Sequence, residues 1–200
     1  MEEEKFGKLA SNERIDKAVK SLKEKGVEVY VVENKEEAKK KVLQLIPERS
    51  EVMTMTSRTL EETGIDSKLN SEKFNSIRNK LVNLKDNKEM KKLVAGSDFV
   101  VGSVHAVTES GEIMIASASG SQIPSYAYEA GKVIFIVGTQ KIVKNIEEGF
   151  KRIYEYCFPL EDKRARIAYG VGSAVNKILI INKEFQPRIV MVFVKEKLGF

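Results

Sequence analysis

The stretch DFVVGSVHAVTESGEIMIASASGSQIPSYAYEAGKVIFIVGTQK, running from Asp98 to Lys141, decides how the chain folds. It is rich in glycine and serine and poor in charge, inside a protein where 32% of residues are charged. Short apolar runs alternate in it with polar loops: an ESG turn, an SASGS loop and a GTQK loop. The run Val133–Val137, VIFIV, is almost purely apolar, as a central strand buried on both faces requires. Strand, polar loop, strand, polar loop is the pattern of a ligand-binding edge of an α/β sheet.

Working outward, residues 3–25 read as a helix, with Phe6, Leu9, Ile15, Val19 and Leu22 on one face and Gly26 past its end. VEVYVV (27–32) is a strand, residues 34–46 a charged amphipathic helix stopped by Pro47, and 51–55 a second strand. A helix then begins at Ser57, with Thr59 and Glu62 at capping-box spacing. Residues 66–86 are hard to read; Phe74, Ile77, Leu81 and Leu84 suggest helical periodicity and a cap on one face of the sheet. Residues 87–95 are helical. Beyond the central stretch, Ile142, Ile146, Phe150, Ile153 and Cys157 mark one long helix ended by Pro159, with EDKRARIAYG as a polar connection. KILII (177–181) and RIVMVFV (188–194) close the chain as strands. The alternation predicts an α/β fold with a mainly parallel central sheet flanked by helices, plus an antiparallel piece at 104–116. With no internal repeat or linker, residues 1–200 are expected to form a single domain on which the helix 3–25 packs.

Composition narrows the function. Lys plus Arg number 34 against 29 Asp plus Glu, a net charge of +5. The charges are mixed along the chain, as in KEEAKKK and EDKRAR, which marks solvated helix faces and disfavours a nucleic-acid partner. The single cysteine, Cys157, cannot form an internal disulfide or ligate an iron–sulfur cluster, and among Tyr154, Tyr156 and Phe158 it reads as a buried small hydrophobe. MEEEKFGK lacks the apolar core of a signal peptide, and IVMVFV (189–194) is far too short to span a bilayer, so a cytoplasmic protein with no membrane partner is expected.

Candidate chemistry falls in five places. In VHAVTESGEIMIA (104–116) a Ser110-Gly111 turn would set Glu109 opposite Glu112, with His105 on the same face. Glu109 is then a candidate nucleophile or base, the plain alternative being two carboxylates in water at a hairpin tip. A Ser103–His105–Glu109 triad fails on strand geometry: residues four apart are separated by about 13 Å and residues two apart by roughly 6–7 Å. Ser119, Gly120 and Ser121 supply hydroxyls and N–H groups before Pro124, near a helix start, where anions are attracted. Gly138 and Lys141 lie in the loop after the central strand, where a lysine meets an anion as a point charge. Ser57, Arg58 and Thr59 follow another strand and suit an anion or a simple helix cap. Gly170–Ser173 either closes the same cleft or merely turns the chain. No metal site is suggested, no cofactor is indicated, and neither the P-loop nor the GxGxxG spacing occurs.

With these residues in view, the sequence resembles the LUD family, the domain named after lactate utilisation proteins. SRTLEETGI (57–65) resembles its Ser-x-Thr-Leu-x-Glu-x-Gly segment, VTESGEIMIASASGSQIP (107–124) its Ala-Glu-Thr-Gly-Thr stretch and Ser/Gly loop, and VIFIVGTQKIVKNIEEGFKRI (133–153) its strand, turn and helix. The resemblance implies a fold similar to that of glucosamine-phosphate deaminases (NagB), ribose-phosphate isomerases (RpiA) and CoA transferases. It also implies a role in lactate or organic-acid utilisation, with a small anionic metabolite as ligand. Family members act beside iron–sulfur redox subunits, so such subunits are the implied partners; a homo-oligomer is the other association considered. Where lactate-operon members carry a Gly-Val-His-Gly-Pro-like segment, this chain has NKEFQPR (182–188). Thr108–Gly111 is also similar to the Ser-Glu-Asn-Gly-like turn of CoA transferases, which gives the alternative of acyl transfer through Glu109; a non-catalytic subunit of a redox complex is the third reading.

Overall fold

The computed structural model describes residues 5–200. Six strands make an all-parallel sheet in the order β1-β10-β7-β4-β2-β3: β1 (Glu28–Val32), β2 (Glu51–Thr54), β3 (Asn75–Ser76), β4 (Phe99–Gly102), β7 (Lys132–Gly138) and β10 (Ile189–Val194). A second sheet, in the order β8-β5-β6-β9, is built from β5 (Ala106–Thr108), β6 (Ile113–Ser117), β8 (Ile142–Val143) and β9 (Lys177–Ile181). The expected mainly parallel sheet flanked by helices is therefore the fold observed, and the antiparallel piece lies where the alternation put it. All six residues of β10 and Val133–Val137 of β7 are buried, because both strands lie inside the sheet with packed layers on each face.

One layer holds α2 (Lys35–Leu45), α3 (Arg58–Thr63) and α4 (Ile65–Leu69), whose Ala38, Val42, Leu60, Ile65 and Leu69 pack on Ile134, Ile136, Val190 and Val192. The other layer holds α1 (Asn12–Glu24), α5 (Ile77–Val82), α6 (Asn87–Ala95) and one face of the second sheet. There Ile15, Leu22, Val107, Ile113 and Ile115 join Phe135, Met191 and Phe193 in one cluster. The opposite face of the second sheet, with Ala106, Met114, Ala116 and Val143, packs on Ile153.

Three expectations change. The helix expected over 3–25 begins, in its main part, at Asn12, because the Ser11 side chain caps it by accepting from the Arg14 N–H; Glu3 and Glu4 lie outside the described residues. The 104–116 hairpin pairs Ala106 with Met114 and Val107 with Ile113, one residue off the expected register. Gly111, at φ 88°, donates back to the Thr108 carbonyl and widens the turn, so Thr108 rather than Glu109 stands opposite Glu112. A shift of one flips every side chain of the strand, and the two glutamates part.

The third change concerns Pro159. Ile142 and Val143 are strand, the helix starts at α7 (Ile146–Lys151) behind an Asn145 cap, and it runs through a π-helical turn, Arg152–Cys157, into α8 (Phe158–Tyr169). The change of winding makes Phe158 the start of a fresh α segment, so Pro159 sits in a first turn, where its missing N–H is no loss. EDKRAR is thus helix rather than connection, carrying ion pairs from Arg164 to Glu161 and from Arg166 to Asp162.

Candidate functional site

In a parallel sheet every strand ends at the same edge, and here the segments after β2, β4 and β7 meet around one cleft of about 980 Å³. Its lining includes Ser57, Thr59, Ser103, His105, Lys141 and the loop Ser119–Ser121. The structure thus brings together Ser57, Thr59, His105, Ser119, Gly120, Ser121 and Lys141 from the sequence reading. Gly138 is not in the lining; it packs against the Glu196 carbonyl and the Leu198 N–H. Glu109 is not in the lining either. Its carboxylate accepts from Arg14 Nε at 2.7 Å and Lys17 Nζ at 2.9 Å, and its carbonyl from Ser21, so it ties the hairpin to α1.

Lys141 is the centre of the cleft's polar end. The 3₁₀ turn Thr139–Lys141 follows β7 directly, and the lysine is only 2% exposed. Its Nζ donates to Thr59 Oγ1 at 3.0 Å, Ser103 Oγ at 3.1 Å and the Val104 carbonyl at 3.2 Å. Burial pushes its pKa down to about 7 and Arg152 pushes the same way, against a weaker pull from Cys157 and Glu62. The Thr59 hydroxyl, expected in a capping box, instead accepts from Lys141 and donates to the Leu198 carbonyl.

His105 Nδ1 accepts the Ala116 N–H at 3.1 Å, which fixes its proton on Nε2. Burial, then Lys141 and Arg152, lower its pKa to about 3, so it stays a neutral donor at physiological pH. Ser103 is spent on Lys141 and Glu109 on Arg14 and Lys17, so no triad forms.

Arg152 escaped the sequence reading. It lies off the apolar stripe of an ordinary helix, and only the wider π turn carries it inward, with Nη1 2.8 Å from Cys157 Sγ and 2.5 Å from the His105 carbonyl. It is fully buried, its guanidinium carbon is 5.2 Å from the centre of the Tyr156 ring, and its Nε and Nη2 have no hydrogen-bond partner among the described residues. No signal in the residue pattern marks this position.

The rim behaves less simply. Arg58, read as an anion clamp, is paired with Glu61 at 2.6 Å and Glu62 at 3.6 Å. The Gly120 and Ser121 N–H groups are taken by Ser117 Oγ and Ser119 Oγ, so the SASGS loop offers hydroxyls to the cleft more than amides. Ser173 joins the lining, its N–H held by Asp162. Among the described residues no three His, Cys, Asp or Glu side chains gather as a metal site, and no helix is long and apolar enough to cross a membrane.

A parallel sheet flanked by helices, with a polar cleft at its carboxyl edge, defines an α/β protein. The sequence profile of the LUD domain matches residues 15–181, and the chain belongs to that family. A crystal structure of a DUF162 family protein from Deinococcus radiodurans is similar with a TM-score of 0.56 at 13% identity, covering 94% of this chain and 99% of that one, and this likeness shows the fold alone. Weaker overlaps exist with eIF2B beta and eIF2B delta from Chaetomium thermophilum. Their TM-scores are 0.40 and 0.37 at 12% and 15% identity; they cover 56% and 70% of this chain and 43% and 58% of those chains. No curated protein matches the chain.

Proposed function

We propose that this LUD-family chain binds a small organic-acid anion, of the hydroxy- or oxo-acid class, with its carboxylate directed at Lys141. The observation that carries the reading is Lys141, a buried cation in the cleft lining whose hydrogen bonds among the described residues go to two hydroxyls and a carbonyl and to no carboxylate; Arg152, buried outside that lining, adds positive charge nearby. Burying unpaired charge is costly, and a bound anion removes that cost. Ser57 and the Ser119–Ser121 hydroxyls line the way in, and neutral His105 adds an N–H donor. A part in lactate or organic-acid utilisation fits this chemistry; electrons in such a role would be carried by iron–sulfur partner subunits, since a lone Cys157 cannot hold a cluster.

Acyl transfer through Glu109 is less well supported, because that carboxylate is neutralised by two cations and lies outside the cleft. Titration calorimetry with lactate, pyruvate and glycolate tests the proposal. Millimolar or tighter binding that Lys141→Met abolishes is expected, and absence of heat with every acid, at matched folding, overturns it.

A further inference from the structure

The cleft is far larger than a three-carbon acid needs, and its two ends differ. Cavities of about 300–1,000 Å³ hold ligands of drug or cofactor size, and this one is about 980 Å³. Besides the Lys141 group its lining includes the apolar side chains Met53, Met55, Leu81, Met90, Val94 and Tyr126, with Arg78, Asn87, Lys91 and Glu129 among them. Met90 and Val94 belong to the apolar stripe of α6, at helical spacing with Leu93. No residue of α6 is fully buried, although the helix is amphipathic and lies against the core through Leu93 and Val94. An apolar stripe left half-covered inside a cleft is surface awaiting a partner, and three methionines adapt to varied apolar shapes.

We infer that the cleft takes an anion with an extended apolar body: its carboxylate or phosphate head at Lys141, its chain lying along Met55, Leu81, Met90 and Val94. The inference rests on the anion-site reading and names the class of ligand within it. The argument for this occupant is continuity, since Lys141 and the half-buried apolar side chains Leu81, Met90 and Val94 line one cavity and a single ligand satisfies both. Free chain-bearing acids and phosphate monoesters share this chemistry, and the head is distinguished by experiment.

Calorimetry of the full chain with propionate, octanoate, octyl phosphate and 1-octanol tests it. Burying methylenes tightens binding about tenfold for every two. Octanoate or octyl phosphate is therefore expected to bind at least tenfold more tightly than propionate, the better of the two identifying the head. Met90→Gln, a neutral polar change at a half-buried position, is expected to shrink the advantage of octanoate over propionate at least tenfold. Equal affinity for propionate and octanoate overturns the inference and leaves the anion site standing. Octanol binding as tightly as octanoate, with Lys141→Met without effect, overturns the anion-site reading instead. Silence with every probe overturns both.

Discussion

Lys141 and Glu109 show how the same evidence, a charged residue in a glycine-rich stretch, divides once partners are known. Lys141 sits near neutrality, so its ammonium is present below about pH 7 and absent well above it. Anion affinity is accordingly expected to fall as pH rises through 7, and calorimetry from pH 6 to 9 checks it. Stability of the unliganded protein moves the other way. Between about 7 and the ordinary lysine value of 10.5 the unfolded chain holds a proton that the folded one has released, so Lys141's contribution grows with pH. Glu109 behaves as a strut. Its carboxylate is partly buried, which opposes ionisation, yet the hydrogen bonds from Lys17 and Arg14 hold its pKa below the usual carboxylate value. Lys17 is 64% exposed and Arg14 37%, so solvent screens both pairs. Glu109→Gln is expected to cost about 1 kcal/mol of stability, read by urea denaturation, and to leave ligand affinity unchanged. A collapse of affinity with unaltered stability would restore Glu109 to the site.

At the scale of elements, the hairpin is where the sequence was most informative and most misleading. Alternation located β5 and β6 and their turn, but a bulged turn at Gly111 adds a residue that alternation cannot count. Gly111 has φ 88°, and a side chain there would come within 3.1 Å of the Leu22 N–H and the Ser21 carbonyl carbon on α1. Gly111→Ala is expected to destabilise the protein by about 1–3 kcal/mol, seen as a lower midpoint in chemical denaturation, by forcing the hairpin off that helix. Glu112 adds an acid limit to the same junction. Although burial opposes its charge, Lys25, Ser110 and Thr108 lower its pKa to about 2. Its stabilisation is complete above the ordinary value of 4.5 and lost as pH falls through 2. An acid melt of Glu112→Gln is therefore expected to show a shallower slope between those limits. The π turn was illegible for a different reason: it changes the winding without changing the composition, so the inward turn of Arg152 and the harmless Pro159 leave no periodic trace.

For the whole molecule, the apolar runs and the strand–loop rhythm were enough to find the parallel sheet, because burial on two faces writes itself into consecutive residues such as VIFIV. Which loops converge was legible only in outline, since the cleft depends on strand order. Val107, Ile113 and Ile115 of the second sheet share one core with Phe135, Met191 and Phe193 of the first. The two sheets are expected to melt together, with far-ultraviolet dichroism and tyrosine fluorescence giving coincident transitions; two separate midpoints would mark them as independent units. The place of β10 has a consequence for how the chain is made. Glu28 of β1 finds its partner in Val190, so a strand emerging early from the ribosome waits for one emerging near the end of these residues. Until then β1 carries two open edges and β7 one. A nascent chain halted before Ile189 would hold at most four of the six strands in register, with an exposed apolar margin along β7 suited to capture by a chaperone.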